Sequence, residues 1–129
     1  AEARDTIGHR LADLAASSAA LPCIGDFDGV STDGVGGGAK VSGWAWLNHD
    51  ARSPDLVVLV DKTGTVIGMA TVWKVRPDLA GLHPETAQAA IGWQGYSRPG
   101  QGVSAYVLSR TRRAACKLNG TFDLSAATP

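Results

Sequence analysis

The sequence has little of what would announce an activity. Its longest apolar runs, Leu56 to Val60 and Val66 to Ala70, are far too short to cross a bilayer as helices. Its 12 Lys+Arg cancel 12 Asp+Glu, so the excess positive charge of a nucleic-acid binder is missing. There is no Gly-x-Ser-x-Gly elbow, no Walker loop and no His-Glu-x-x-His helix. The three histidines, His9, His49 and His83, share no ligand spacing, and the two cysteines form no Cys-x-x-Cys. Asp26, Asp28, Asp55 and Glu85 are the carboxylates a glycosidase would need, yet nothing in their spacing sets two across a cleft. The expectation is a protein with no catalytic residues, no metal and no cofactor.

What is present is the material of one folded domain. The chain has 129 residues, 44% of them apolar and 19% charged, which excludes a disordered tail and leaves no room for a second full-sized core. Charge is distributed unevenly: residues 1–64 are net acidic by about four and residues 65–129 net basic by the same amount, which favours attraction between the halves. Arg110, Arg112 and Arg113 form the one basic cluster and read as a solvated strand face. No signal peptide is visible. Beginning at Ala1 without a methionine, the chain reads as a mature form or a segment of something longer.

The hydrophobic period divides the chain. Ile7, Leu11 and Leu14 fall at i, i+4 and i+7, predicting a helix over 4–16 within an N-terminal helix or linker of residues 1–21. Residues 22–125 then read as strands, with 126–129 as a flexible tail. The expected strands are Cys23–Val30, a segment from Val41, a central doubly covered Leu56–Val60, Thr65–Val75, Gly92–Ser97, Val103–Ser109, Arg113–Leu118 and Thr121–Leu124. Asp61-Lys62-Thr63-Gly64 predicts one hairpin loop and Asn119-Gly120 another. Pro77 and Pro84 interrupt the pattern and suggest a short helical excursion near 77–91. Seven or eight short strands with tight turns predict a mainly β fold, an antiparallel β-sandwich, with a small barrel as the next option.

Asp26, Asp28 and Asp33 begin like a calcium loop, but the remaining ligand positions are missing, so turn-forming aspartates are the better reading. The glycines at 34–38 do not join a strand to a helix, which argues against a phosphate cradle. Asn119-Gly120-Thr121 matches a glycosylation acceptor, and the same residues suit a hairpin turn. Cys23 and Cys116 are either two buried thiols or a structural disulfide; the disulfide is favoured, and it would require an oxidising compartment. Closing so long a loop is worth roughly 4–5 kcal/mol in the chain-entropy treatment.

The aromatic residues carry the main functional signal. Alternation puts Trp44 and Trp46 on one strand face, opposite Val41, Gly43, Ala45 and Leu47, and either face could point inward. Trp73, Trp93, Tyr96 and Tyr106 come from other strands. An exposed indole can stack on the apolar face of a pyranose while its N–H bonds a hydroxyl; a buried one fills the core. Arg76-Pro77-Asp78 is the most compact polar group: it could bind an anionic ligand, although an internal Arg76–Asp78 pair is the better reading.

Four segments recur together: Val41-Ser42-Gly43-Trp44-Ala45-Trp46, Val57 through Gly68, Arg76-Pro77-Asp78 and Gly92-Trp93-Gln94-Gly95-Tyr96. In that order they resemble an extracytoplasmic β-sandwich module at the C-terminal end of bacterial multi-spanning membrane proteins linked to surface-polysaccharide or O-antigen glycosyl transfer. The resemblance covers roughly residues 22–122. It implies a periplasmic accessory domain with a Cys23–Cys116 bridge, and it transfers no catalytic residue. The expected function is to bind or position glycan for the membrane-embedded, glycosyltransferase-like part of the parent protein, with Trp44, Trp46, Trp73, Arg76, Asp78, Trp93 and Tyr96 as candidate ligand contacts. The expected partners are that membrane part and polysaccharide, without nucleic acid. The alternative is a structural or protein-interaction domain with no small-molecule ligand.

Overall fold

A computed structural model describes residues 7–15, 23–31, 39–47, 54, 56–76, 78, 90–109 and 114–124. Their fold is mainly β: β1 (Ile24–Ser31), β2 (Ala39–Trp46), β3 (Val57–Val60), β4 (Val66–Val75), β5 (Ala90–Ser97), β6 (Gly100–Ser109) and β7 (Ala114–Leu124), preceded by one short helix, α1 (Leu11–Leu14). The strands do not form a sandwich. They close into a barrel in the order β1-β2-β5-β4-β3-β6-β7. Six neighbouring pairs are antiparallel. With directions alternating around seven strands, the first and last must run the same way, and β1 meets β7 in parallel at the single pair Asp26↔Asn119.

Sandwich and barrel share the same in-and-out alternation; strand bending decides between them. Bulges interrupt the register on β1 between Phe27 and Gly29, on β4 at Trp73, on β5 at Ile91, and where β6 meets β7. The last of these overturns an expectation. Residues 114–124 form one continuous strand, with no hairpin at Asn119-Gly120. The Asn-Gly pair supplies positive φ (+102° at Gly120) to a bulge inside β7, and Asn119 thereby reaches Asp26 across the seam. A side chain at Gly120 would run into the Phe27 carbonyl, so glycine also permits the close approach of β7 to β1. The disulfide Cys23–Cys116, with Cα atoms 6.2 Å apart, ties the same two strands a few residues away. It links residues 93 apart in sequence.

The barrel interior is filled by alternate residues, among them Phe27, Val41, Leu59, Trp93, Val107 and Leu118. β3 is buried along its whole length, as expected of a doubly covered strand: Val57 and Leu59 face in, while Val58 and Val60 face a second cluster outside. That cluster is closed by Ile7, Leu11, Leu14 and Ala15. The apolar positions expected to face the domain therefore do so, but the helix is four residues, not thirteen. Gly8 (φ +96°) leaves helical geometry, and residues 8–11 bond the edge of the barrel instead, Gly8 N–H to Val66 O and Leu11 N–H to Gly64 O at 2.8 Å each. Residues 4–6 and 16 of the expected helix lie outside the described residues. So does most of the expected excursion near 77–91, whose last two residues, Ala90 and Ile91, begin β5.

The hairpin joining β3 to β4 forms as read, with Gly64 at φ +87° and its N–H on Asp61 O. The Asp61 carboxylate accepts from Thr63 N–H and Oγ1–H and from Thr65 N–H. Partial burial would raise its pKa, but these bonds outweigh that and hold it below the usual carboxylate value.

Candidate functional site

The structure separates the candidate residues into two groups. Val41 and Ala45 of β2 and Leu47 just after it belong to the barrel core, which puts Trp44 and Trp46 on the outer wall. Even there they are covered, each only 5% exposed, in a small cluster with Ile91 and Ile24. Trp44 donates its indole N–H to Asp26 Oδ2 at 3.0 Å. Asp26 and Asp28 lie in strand β1, within the expected strand Cys23–Val30, and so are not turn formers. Trp93 faces inward, stacked obliquely on Phe27 with centroids 5.6 Å apart. Its buried Nε1–H has no acceptor among the described residues. These three tryptophans are buried, Trp44 and Trp46 on the outer wall and Trp93 in the barrel interior.

Trp73 and Tyr96 are different: they are 59% and 64% exposed. Both stand on the outer wall of the β4–β5 pair. On β4, Ala70 and Val72 turn inward, leaving Thr71 outside with its ladder partner Gln94. Trp73 is the unpaired residue of the bulge between Val72 and Lys74, a distortion that turns a side chain out of the regular pleat. Tyr96 pairs with Met69 on β4 and Lys40 on β2. At the usual rise per residue, the two aromatic side chains are roughly 12 Å apart along the strands, with the Gln94 amide between them. A cleft of about 200 Å³ opens at the Trp73 end, lined by Ser42, Trp73, Lys74, Arg76 and Gln94 over a floor of Gly43, Gly92 and Trp93.

Arg76 and Asp78 take the internal pairing. Arg76 donates from Nε to Asp78 Oδ1 at 3.0 Å and from Nη2 to Asp78 Oδ2 at 2.9 Å, a two-pronged ion pair, and Nη2 lies 3.8 Å from Asp28 Oδ2. The Asp78 bond raises the guanidinium pKa further, and the same bond lowers that of Asp78. Burial raises the Asp28 pKa; Arg76 opposes this, while Asp26 and Asp78 add to it. The aliphatic stem of Arg76 rests over Gly92, where a Cβ would crowd Arg76 Cγ and Lys74. Arg76 is therefore a neutralised wall of the cleft and not a free clamp.

Sequence reasoning missed Gln94, Thr71 and Ser42, the polar surface beside the exposed aromatics. Alternation could have found them, since all three occupy outward positions on predicted strands. A second cleft, of about 310 Å³, lies at the barrel seam between Cys23, Ile24, Gly25 and Asp26 on one side and Lys117 and Asn119 on the other, with Trp44 at its edge. Among the described residues no group of His, Cys, Asp and Glu is arranged to hold a metal ion, and no helix is long and apolar enough to cross a membrane.

No family model, curated protein or solved structure matches the chain.

Proposed function

We propose that the barrel is a non-catalytic glycan-binding accessory module of an extracytoplasmic protein, and that it binds through the outer wall of β4 and β5. The observation that carries this reading is the pair Trp73 and Tyr96, exposed on one wall with the Gln94 amide between them. Exposed rings separated by an amide match the amphipathic surface of a saccharide: rings cover C–H faces, and the amide donates to and accepts from hydroxyls. The spacing suits a short oligosaccharide better than one ring. The Cys23–Cys116 bridge agrees with an oxidising compartment, and the periplasm is the location we propose. The natural partner is a membrane-embedded, glycosyltransferase-like part of the parent protein, whose product or acceptor the module would hold.

The test is a glycan array probed with wild type, Trp73→Ala and Tyr96→Ala. Each substitution is expected to lower binding at least about tenfold, the scale of an interface hot spot. Melting should stay within about 2 °C, because both side chains are exposed. Absence of binding to any host polysaccharide at millimolar concentration would overturn the reading.

A second reading, a protein-interaction domain without a ligand, is favoured by one observation: Trp44, Trp46 and Trp93 are buried, and Val75, 44% exposed, extends an apolar surface beyond Trp73. Deleting residues 22–129 from the parent and finding assembly lost while catalysis persists would select it.

A further inference from the structure

The two ends of the β4–β5 wall carry different charge. At the Trp73 end the carboxylates and the guanidinium satisfy one another: Arg76 holds Asp78 and lies beside Asp28. At the Tyr96 end the described charged residues flanking the ring in sequence and across the ladder are both cations, Lys40 and Arg98. Lys40 is the cross-strand partner of Tyr96 on β2 and is exposed between the inward-facing Ala39 and Val41. Arg98 follows Tyr96 by two residues, with buried Ser97 between them, and is exposed just beyond the end of β5. Its backbone N–H is held by Ile67 O at 2.9 Å. Among the described residues neither Lys40 nor Arg98 makes an ion pair, whereas Arg76 makes two.

Resting on the glycan reading, we infer that the saccharide is anionic, with its acidic group seated beside Tyr96 between Lys40 and Arg98 and a neutral ring on Trp73. The chemistry is that of a planar or tetrahedral oxyanion. A guanidinium offers a fork of donors to it, an ammonium offers a mobile point charge, and the tyrosine ring covers the adjoining sugar. An anion at the Trp73 end would meet Asp78 and Asp28 instead, where Arg76 is already engaged and Lys74 also acts on Asp78, so the described charges at that end balance. The polarity of the wall therefore also orients the chain: acidic group towards Tyr96, uncharged residues towards Trp73. A uronic acid and a phosphate ester share this chemistry.

The experiment titrates the intact protein with tetragalacturonate, with its methyl ester and with a glycerol-phosphate-substituted tetrasaccharide, at low and at molar salt. The acid is expected to bind roughly three- to thirtyfold more tightly than the ester at low salt, the combined effect of two exposed ion pairs. Molar salt should remove most of that difference, since it shortens the screening length to about 3 Å. Tighter binding of the phosphate than the carboxylate assigns the oxyanion to phosphate, and the converse assigns it to uronate; both outcomes support the inference. Lys40→Gln with Arg98→Gln should equalise acid and ester. If the ester binds as tightly as both anionic probes in wild type, the glycan reading survives and the charge inference is overturned. If none of the three binds, both fall.

Discussion

The outer wall of this barrel is built in two ways, and β4 takes part in both. Towards its start the wall is sealed: Val58 and Val60 of β3 and Val66 of β4 lie under Ile7, Leu11, Leu14 and Ala15, so apolar side chains face outward and still leave water. Further along β4 the wall is open. Thr71, Trp73 and Lys74 face solvent beside Gln94 and Tyr96 of β5, where a bulge breaks the regular pairing. Outward direction alone thus says little about role. A covered outward side chain contributes stability, roughly 25 cal/mol per Å² of apolar area removed from water, whereas an uncovered aromatic one contributes little until something binds it.

The largest expected effect is on the sealed side. Val58→Asp places an unpaired charge between β3 and the N-terminal segment and should cost about 4 kcal/mol or more, enough to prevent two-state folding. Thr71→Asp, also outward but on the open wall, should change stability by less than about 0.5 kcal/mol. Chemical denaturation of the pair measures the contrast directly. If both are equally harmful, the open wall is not open.

Next in size is the seam. β1 and β7 share a single ladder pair, so closure leans on Cys23–Cys116. Replacing both cysteines by serine should lower stability by roughly 4 kcal/mol if the denatured chain behaves as a simple loop, with protection against amide exchange lost first in β1 and β7 and last in β3 and β4. Uniform loss of protection across all strands would show that the seam is no weaker than the rest.

A smaller effect belongs to the β3–β4 hairpin. The folded-state pKa of Asp61 is lowered, so its contribution is fully present above the ordinary carboxylate pKa and disappears as pH falls through the depressed folded value. Asp61→Ala should cost about 1 kcal/mol at neutral pH, and its penalty should shrink steadily in acid. A penalty independent of pH would mean that the carboxylate charge does not hold the loop.

Much of this arrangement was legible before any coordinates. The apolar run Leu56–Val60 announced a strand covered on both faces, and Asp61-Lys62-Thr63-Gly64 announced its hairpin, because local chemistry decides both. Alternation identified the two faces of β2 but not which one pointed inward, since Val41, Ala45 and Leu47 fill a core as well as tryptophans cover a wall. The barrel was a secondary option because closure depends on bulges, and a bulge differs from a turn only in its tertiary partners. Asn119-Gly120 makes the point: the same positive-φ dipeptide that ends a hairpin elsewhere bends β7 here towards Asp26. Exposure of Trp73, against burial of Trp44, Trp46 and Trp93, was equally hidden. It follows from what lies over each strand and not from residue type.

The proposal that the open wall is the binding surface is tested most directly by following backbone amide shifts while tetragalacturonate is added to the labelled protein. The expected shifts cluster in residues 40–42, 71–74 and 92–98, with the sealed strand 57–60 silent. Shifts confined to the seam at 23–26 and 117–119, or no shifts at any concentration reached, would contradict it.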